Sequence, residues 1–456
     1  MESFIALFQL ILENIWLYGA SFLLVLTILV FVHEWGHFIV ARMCGVKVEV
    51  FSIGFGKEIW GWTAKNGTRW KFSLIPLGGY VKMFGDADPT SAGHDGDKKY
   101  SAEEKSVAFF AQPIWKRSAI VFAGPAINFI FAIAILSGLF ATMGKYETPP
   151  VVTAVQIGSA ADLAGFKPHD VILEIDGREA TRFGDIRRSV AIALDTKMTF
   201  VVDRNGQTIE LYPTPERFSF EDKFGFKQEI GRIGVLGPSN GILIEGITSI
   251  DGKNTDPENV DETRVLLLKK IGIPFRIGLT GVTEEGEALL VDPRMNKNEA
   301  MADKEDPYYE ALVLAEVVSQ QYVEFSPIEA VGVATIETWR IVKDSLGALG
   351  QIVTGTRSAQ ELGGVIRIGA VAGDMAERGW IALITFAALL SINLGLINLF
   401  PIPLLDGGHL AMYAVEAVKG SPISEKAQEY AFRVGMTFLV FLMVFANLND
   451  ILQLVF

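Results

Sequence analysis

Apolar residues are concentrated in four stretches of this chain, each close to the roughly 20 residues that a helix needs to cross a bilayer. They run from Leu17 to Ala41, Ala119 to Met143, Trp380 to Phe400 and Val434 to Leu448. A shorter run, Phe4 to Leu12, reads as a segment at the membrane surface. The opening "MESF" has no basic n-region and the apolar run continues through His33, so the pattern predicts a retained span rather than a cleaved signal peptide. After the first span the period changes. Val46, Val48 and Val50 alternate with polar residues, "KNGT" carries a hairpin turn, and "RWKFSLI" resumes the alternation, which predicts a β-hairpin. Its many aromatic rings suit a membrane interface. The polar, turn-rich "DADPTSAGHDGDKKYSAEEKS" is expected to be a mobile loop.

Between the second and third spans the pattern is that of a soluble α+β region. From Pro150 to Pro215 it predicts a strand, a short helix led by Ser159, a strand ending at Asp176-Gly177, a helix near Asp185 to Ala193 and a hairpin turning at Asn205-Gly206. This order, with the wording "GSAADLAGFKPHDVILEIDG", resembles a bacterial PDZ domain, a module that accepts extended peptides along a sheet edge. Ile250-Asp251-Gly252 echoes Ile175-Asp176-Gly177, and residues 231–294 read as a degenerate second copy. "MNKNEAMADKEDPYYE" reads as a charged linker, and residues 326–357 as an amphipathic helix started by Ser326-Pro327.

Charge orients these pieces. No basic residue precedes Arg42 and none follows Arg433, whereas residues 42–117 hold 12 lysines and arginines. The positive-inside rule places that segment in the cytoplasm, and both termini and the α+β region outside. The resulting division is residues 1–42 (first span), 43–117 (cytoplasmic hairpin and loop), 118–144 (second span), 150–215 and 231–294 (external modules), 326–357 (external helix) and 379–456 (third and fourth spans). The expected fold class is a polytopic α-helical membrane protein with an appended hairpin and an external α+β region. Composition agrees: half of the 456 residues are hydrophobic and mean hydropathy is +0.32. A net charge of -13 without a basic stripe argues against nucleic acid. The single cysteine, Cys44, excludes an intramolecular disulfide and a cysteine-based zinc site.

Ionisable groups inside a span point to function. "FVHEWGHFIV" in the first span sets His33 and His37 one helical turn apart with Glu34 beside them. In this H-E-x-x-H spacing two imidazoles hold zinc, and the glutamate serves as general base toward a water that the metal makes acidic. A third ligand is needed, and Asp406 is the candidate, because Pro401, Pro403, Gly407 and Gly408 interrupt an apolar helix around it. His409 reads as a turn or supporting residue. Asn393 and Asn398 offer amides to a substrate backbone or an oxyanion, or to neighbouring helices. In "FAGPAINFIFA" Gly124 permits close helix approach and Asn128 needs a partner at membrane depth, which would brace the site without a direct part in the chemistry.

With "HEWGHF", "FSIGFGKEIWGW", "IPLGGYVKMFGD", "AGPAINF" and "SINLGLINLFPIPLLDGGH" in this order, the chain resembles the site-2 protease family of intramembrane zinc metalloproteases over nearly its whole length. The resemblance implies zinc on His33, His37 and Asp406, catalysis by Glu34, substrate support from Asn393 and Asn398, and a hairpin that helps unwind the substrate helix. It also implies a bacterial inner membrane location with a periplasmic PDZ region, and single-pass membrane proteins as substrates, such as trimmed anti-sigma factors or remnant signal peptides. Trp35 departs from the smaller residue usual at that place. Two other readings compete: a PDZ-bearing scaffold with structural zinc, which leaves Glu34 without a purpose, and a metal transporter, which would need more intramembrane ligands than this one cluster.

Overall fold

The computed structural model describes residues 15–88, 91–94, 100–152, 154–155, 158–167, 170–237, 247–256, 259–270, 275–279, 286–288 and 321–455. These form two compact units, one of residues 1–142, 221–227 and 325–456, the other of residues 143–220 and 228–324. The Phe4 to Leu12 run and the charged linker lie outside the described residues.

The first unit is built on helices α1 (Ile15–Met43), α2 (Ile114–Met143), α3 (Pro327–Thr354), α4 (Val365–Glu377), α5 (Trp380–Asn398), α6 (Asp406–Lys419) and α7 (Glu425–Val455). Four of them, α1, α2, α5 and α7, are long and apolar enough to cross a membrane. The fourth candidate span, Lys426–Leu454, is longer than the apolar run Val434 to Leu448, because polar residues extend the helix at both ends. At the C-terminal end those residues have partners. Asn449 Nδ2 donates to the carbonyls of Gln360 and Leu362, at 2.6 and 3.2 Å. Asp450 accepts from the backbone N–H of Gly364 and Arg367, at 2.9 and 3.0 Å, and so caps α4. The exposed side chains Phe438, Phe441, Met443 and Val444 of α7 present a face suited to lipid.

Small and branched side chains interlock α2, α3 and α5: Ala132 and Leu136 meet Ala334 and Val342, with Ala388, Ile392 and Leu396 on the third helix. α3 begins with the capping box that its sequence announces, Ser326 and Glu329 bonding reciprocally to each other's backbone N–H. α4 and α6 are short helices that the apolar pattern does not announce.

The predicted hairpin is present as β1 (Val48–Thr63) and β2 (Arg69–Met83). The ribbon folds over itself, so that Ser52 and Ile53 pair both with Lys71 and Phe72 and with Tyr80 and Gly79. Phe51 stacks on Trp70 at 4.4 Å, while Ile59, Trp60 and Leu74 remain exposed. The segment after it, expected to be a loop, holds a small antiparallel pair, Asp86–Asp88 with Ser91–His94. It also holds a helix, Ala102–Val107, whose Ser101 and Glu104 form a second capping box.

In the second unit a four-stranded sheet contains Val171–Ile175, Arg178–Glu179, Phe200–Arg204 and Gln207–Leu211, with helices Ala160–Ala164 and Phe183–Ile192. Phe166, Ile172, Phe200 and Val202 fill its core. A second four-stranded sheet, of Ile247–Ile250, Lys253–Asn254, Phe275–Leu279 and Gly286–Ala288, has the same strand order and its own helix, Val260–Leu268. The repeat reaches individual atoms. Asp176 and Asp251 both have positive φ, 50° and 49°, and each carboxylate accepts a backbone N–H, from Thr199 at 2.8 Å and from Arg276 at 2.9 Å. Residues at the start of the expected second module pack elsewhere: Ile233 lies in the first core, and Val235–Leu236 pairs with Ala154–Val155. Ile233 thus packs with the first module's core, and residues 235–236 form a separate two-stranded pair beside it.

Candidate metal centre

α1 carries His33 and His37 on one face, and both are buried. Asp406 reaches them from the first turn of α6. α5 stops at Asn398, three residues before Pro401, whose ring and missing N–H cannot continue the helix. The chain then turns through Leu404, which has a φ of 87°, a conformation that non-glycine residues rarely adopt. Gly407 follows because a Cβ there would stand 2.3 Å from the carbonyl oxygens of Leu399 and Phe400. This tight, strained turn presents the carboxylate.

The ligand atoms converge. His33 Nε2 and His37 Nε2 are 3.2 Å apart, with Asp406 Oδ2 3.2 Å from the first and Asp406 Oδ1 3.5 Å from the second. Three atoms bound at 2.0–2.2 Å to one tetrahedral ion stand about 3.4 Å from each other. The set therefore fits a zinc-sized ion. Asp406 Oδ2 is buried without a hydrogen-bond partner, which leaves it free for a cation. Behind the rings, the Ile120 carbonyl lies 2.9 Å from His37 Nδ1, and Asn128 Nδ2 lies 3.1 Å from His33 Nδ1. Gly124 lets α2 close on the site: a Cβ there would fall 2.3 Å from His37 Nε2 and 2.8 Å from His33 Cε1.

A cavity of about 560 Å³ opens on this cluster, lined by His33, Glu34, His37, Asn398 and Asp406, with Gly79, Tyr80 and Val81 of β2 alongside. Asn398 Nδ2 is 3.5 Å from His33 Nε2. Asn393 does not join it; its Oδ1 accepts a hydrogen bond from Ser345 Oγ of α3, at 3.0 Å. His409 lines the cavity outside the ligand cluster, its ring against Phe432. Arg117 and Glu416, which the sequence did not single out, form a two-point ion pair between α2 and α6 on the cavity wall, at 3.2 and 2.6 Å. Nothing local in either segment announces the pair, because its members are 299 residues apart.

The model of peptidase family M50 matches residues 21–442. The chain belongs to peptidase family M50. A protein of Agrobacterium fabrum named as a zinc metalloprotease is 39% identical over 439 residues, 96% of each chain. One of Rhizobium meliloti, also named as a zinc metalloprotease, is 37% identical over 444 residues, 97% of this chain and 98% of its own. The regulator of sigma-E protease RseP of Escherichia coli is 33% identical over 468 residues, 95% of this chain and 98% of its own. This M50 peptidase is an intramembrane zinc metalloprotease.

Proposed function

We propose that His33, His37 and Asp406 hold the zinc and that Glu34 is the general base of an endopeptidase that cuts membrane-spanning helices of single-pass proteins. The convergence of the three ligand atoms within 4.8 Å of one another, from helices 369 residues apart in sequence, carries this reading. Zinc so held supplies a Lewis acid and a water acidic enough to react near neutral pH. Glu34, beside the ligands on the cavity wall, takes the proton of the attacking water and passes it to the leaving amine. The Asn398 amide, close to His33, donates to the substrate carbonyl as it gains negative charge. Asn393, bonded to Ser345, acts at a distance by fixing α3 against α5.

A helical peptide bond is hidden by its own hydrogen bonds, so the substrate must unwind before it is cut. The β1–β2 ribbon beside Glu34 offers backbone groups to an extended segment. The two repeated modules of the second unit are PDZ-like, lie outside the cytoplasmic membrane, and take the end of a trimmed substrate or exclude bulky ones. An anti-sigma factor or a remnant signal peptide fits as substrate, as the family resemblance implies, and the Escherichia coli relative is named as a regulator of sigma-E. Replacement Glu34→Gln tests the core of the reading. The variant should retain one zinc per chain and cleave a tagged membrane helix at least about 1,000-fold more slowly, in the range expected for loss of a general base; unchanged cleavage would remove Glu34 from the chemistry.

A further inference from the structure

Asn128 carries an inference that rests on the zinc reading above. Its side chain is fully buried in α2. Its backbone is held from behind, since Ser391 Oγ donates to its carbonyl at 2.9 Å, and Gly395 of α5 packs against its Cβ. Its Nδ2 faces His33 Nδ1 at 3.1 Å, and its Oδ1 is buried without a partner. We infer that Asn128 is a positioning residue that selects the His33 tautomer able to bind metal, by presenting its amide oxygen to His33 Nδ1–H.

The two ligand imidazoles differ in what stands behind them. A neutral imidazole carries one N–H, and the nitrogen that binds a metal must be bare, so the proton has to sit on the other. For His37 the matter is settled by the backbone: the Ile120 carbonyl can only accept, which puts the proton on Nδ1 and leaves Nε2 bare. His33 has no carbonyl behind it. It has an amide, which can offer either end. With nitrogen toward His33, Nδ1 must accept, and the proton is forced onto Nε2, the atom that faces Asp406 at 3.2 Å. With oxygen toward His33, Nδ1 donates and Nε2 is free. The two amide orientations differ by a half-turn about Cβ–Cγ and have nearly the same shape, so the chemistry of the ring decides between them. Metal binding by Nε2 requires the second. Such partners behind a ligand histidine are worth about 10- to 100-fold in metal affinity.

The test uses the full-length protein in detergent, stripped of metal and titrated with Zn2+ and with Co2+ as a spectroscopic probe. The unmodified protein should take up one ion, and His33→Ala should abolish it. Asn128→Asp, which can only accept, should keep the affinity and the Co2+ ligand-field spectrum. Asn128→Leu, similar in shape but without an acceptor, should bind both ions about 10- to 100-fold more weakly and shift that spectrum. Protease resistance reports folding, and Asn128→Ala takes the place of the leucine variant if that one fails to fold. Unchanged affinity and spectrum in the leucine or alanine variant would overturn the inference, as would equal loss of metal in folded Asn128→Asp. Failure of the unmodified protein to bind one ion, or binding that survives His33→Ala, would instead overturn the zinc reading and this inference with it.

Discussion

At Gly124 the absence of one methyl group decides whether two helices can share a metal site. The missing Cβ would overlap His37 Nε2 at 2.3 Å, and a Cβ contact under 3 Å forces something to move. Gly138, on the same helix, has nothing within 4 Å of its notional Cβ. Gly124→Ala should therefore lower peptidase activity by about 100-fold or more, the usual consequence of moving a reacting group by about 1 Å. Gly138→Ala should leave activity unchanged in the same assay. Equal activity in both variants would remove the steric argument. At this scale the grouping of His33, His37 and Asp406 was largely legible. His33, Glu34 and His37 are local to one turn, and Asp406 sits in a break that only a functional or buried loop would justify at membrane depth. The asparagines were less so. Asn393 and Asn398 are five residues apart, about 140° around a helix with 3.6 residues per turn, so they cannot both face one site. The structure sends Asn398 to the ligands and Asn393 to Ser345.

Elements that stabilise themselves were visible in the sequence, and elements stabilised by others were not. α3 carries its own Ser326–Glu329 box and could be read directly, and the same box at Ser101 and Glu104 was there to be read as well. α4 depends on Asp450, 86 residues beyond Gly364, for its cap, and no local window contains that information. α6 is likewise tied to α2 by Arg117 and Glu416, whose side chains keep only 14% and 13% of their exposure. Arg117 also lies over the Tyr413 ring at 4.8 Å. Removing one partner of a buried pair leaves the other charge uncompensated, which typically costs about 3–5 kcal/mol, whereas replacing both with apolar residues costs far less. Arg117→Met and Glu416→Leu should each lower unfolding stability in detergent by about 3 kcal/mol, and the double variant by less than either. A cycle in which the two losses simply add would mean that the pair does not hold α6, and with it Asp406, in place.

For the whole molecule, the four candidate spans predict how often the chain crosses the membrane, and the basic residues near their ends predict its direction. Only charges within about 20 residues of a span count strongly in this rule. By that measure Arg42, Lys47, Lys57, Lys98, Lys99, Lys105, Lys116 and Arg117 lie between the first two spans or at their facing ends, against Lys145, Arg367 and Arg378 between the second and third. Lys419 and Lys426, at or before the start of the fourth span, are on the same side as the larger group if each span crosses once. The net charge of -13 does not conflict, because acidic residues contribute little to orientation. The hairpin of β1 and β2 should then face the cytoplasm and the repeated sheets the opposite compartment. A phosphatase that is active only outside the cytoplasm should be active when fused after Pro215 and inactive when fused after Lys99. A reporter that is active only in the cytoplasm should give the reverse. Activity of the second reporter after Pro215 would invert the orientation, and would put the repeated modules on the side where a substrate trimmed outside could not reach them.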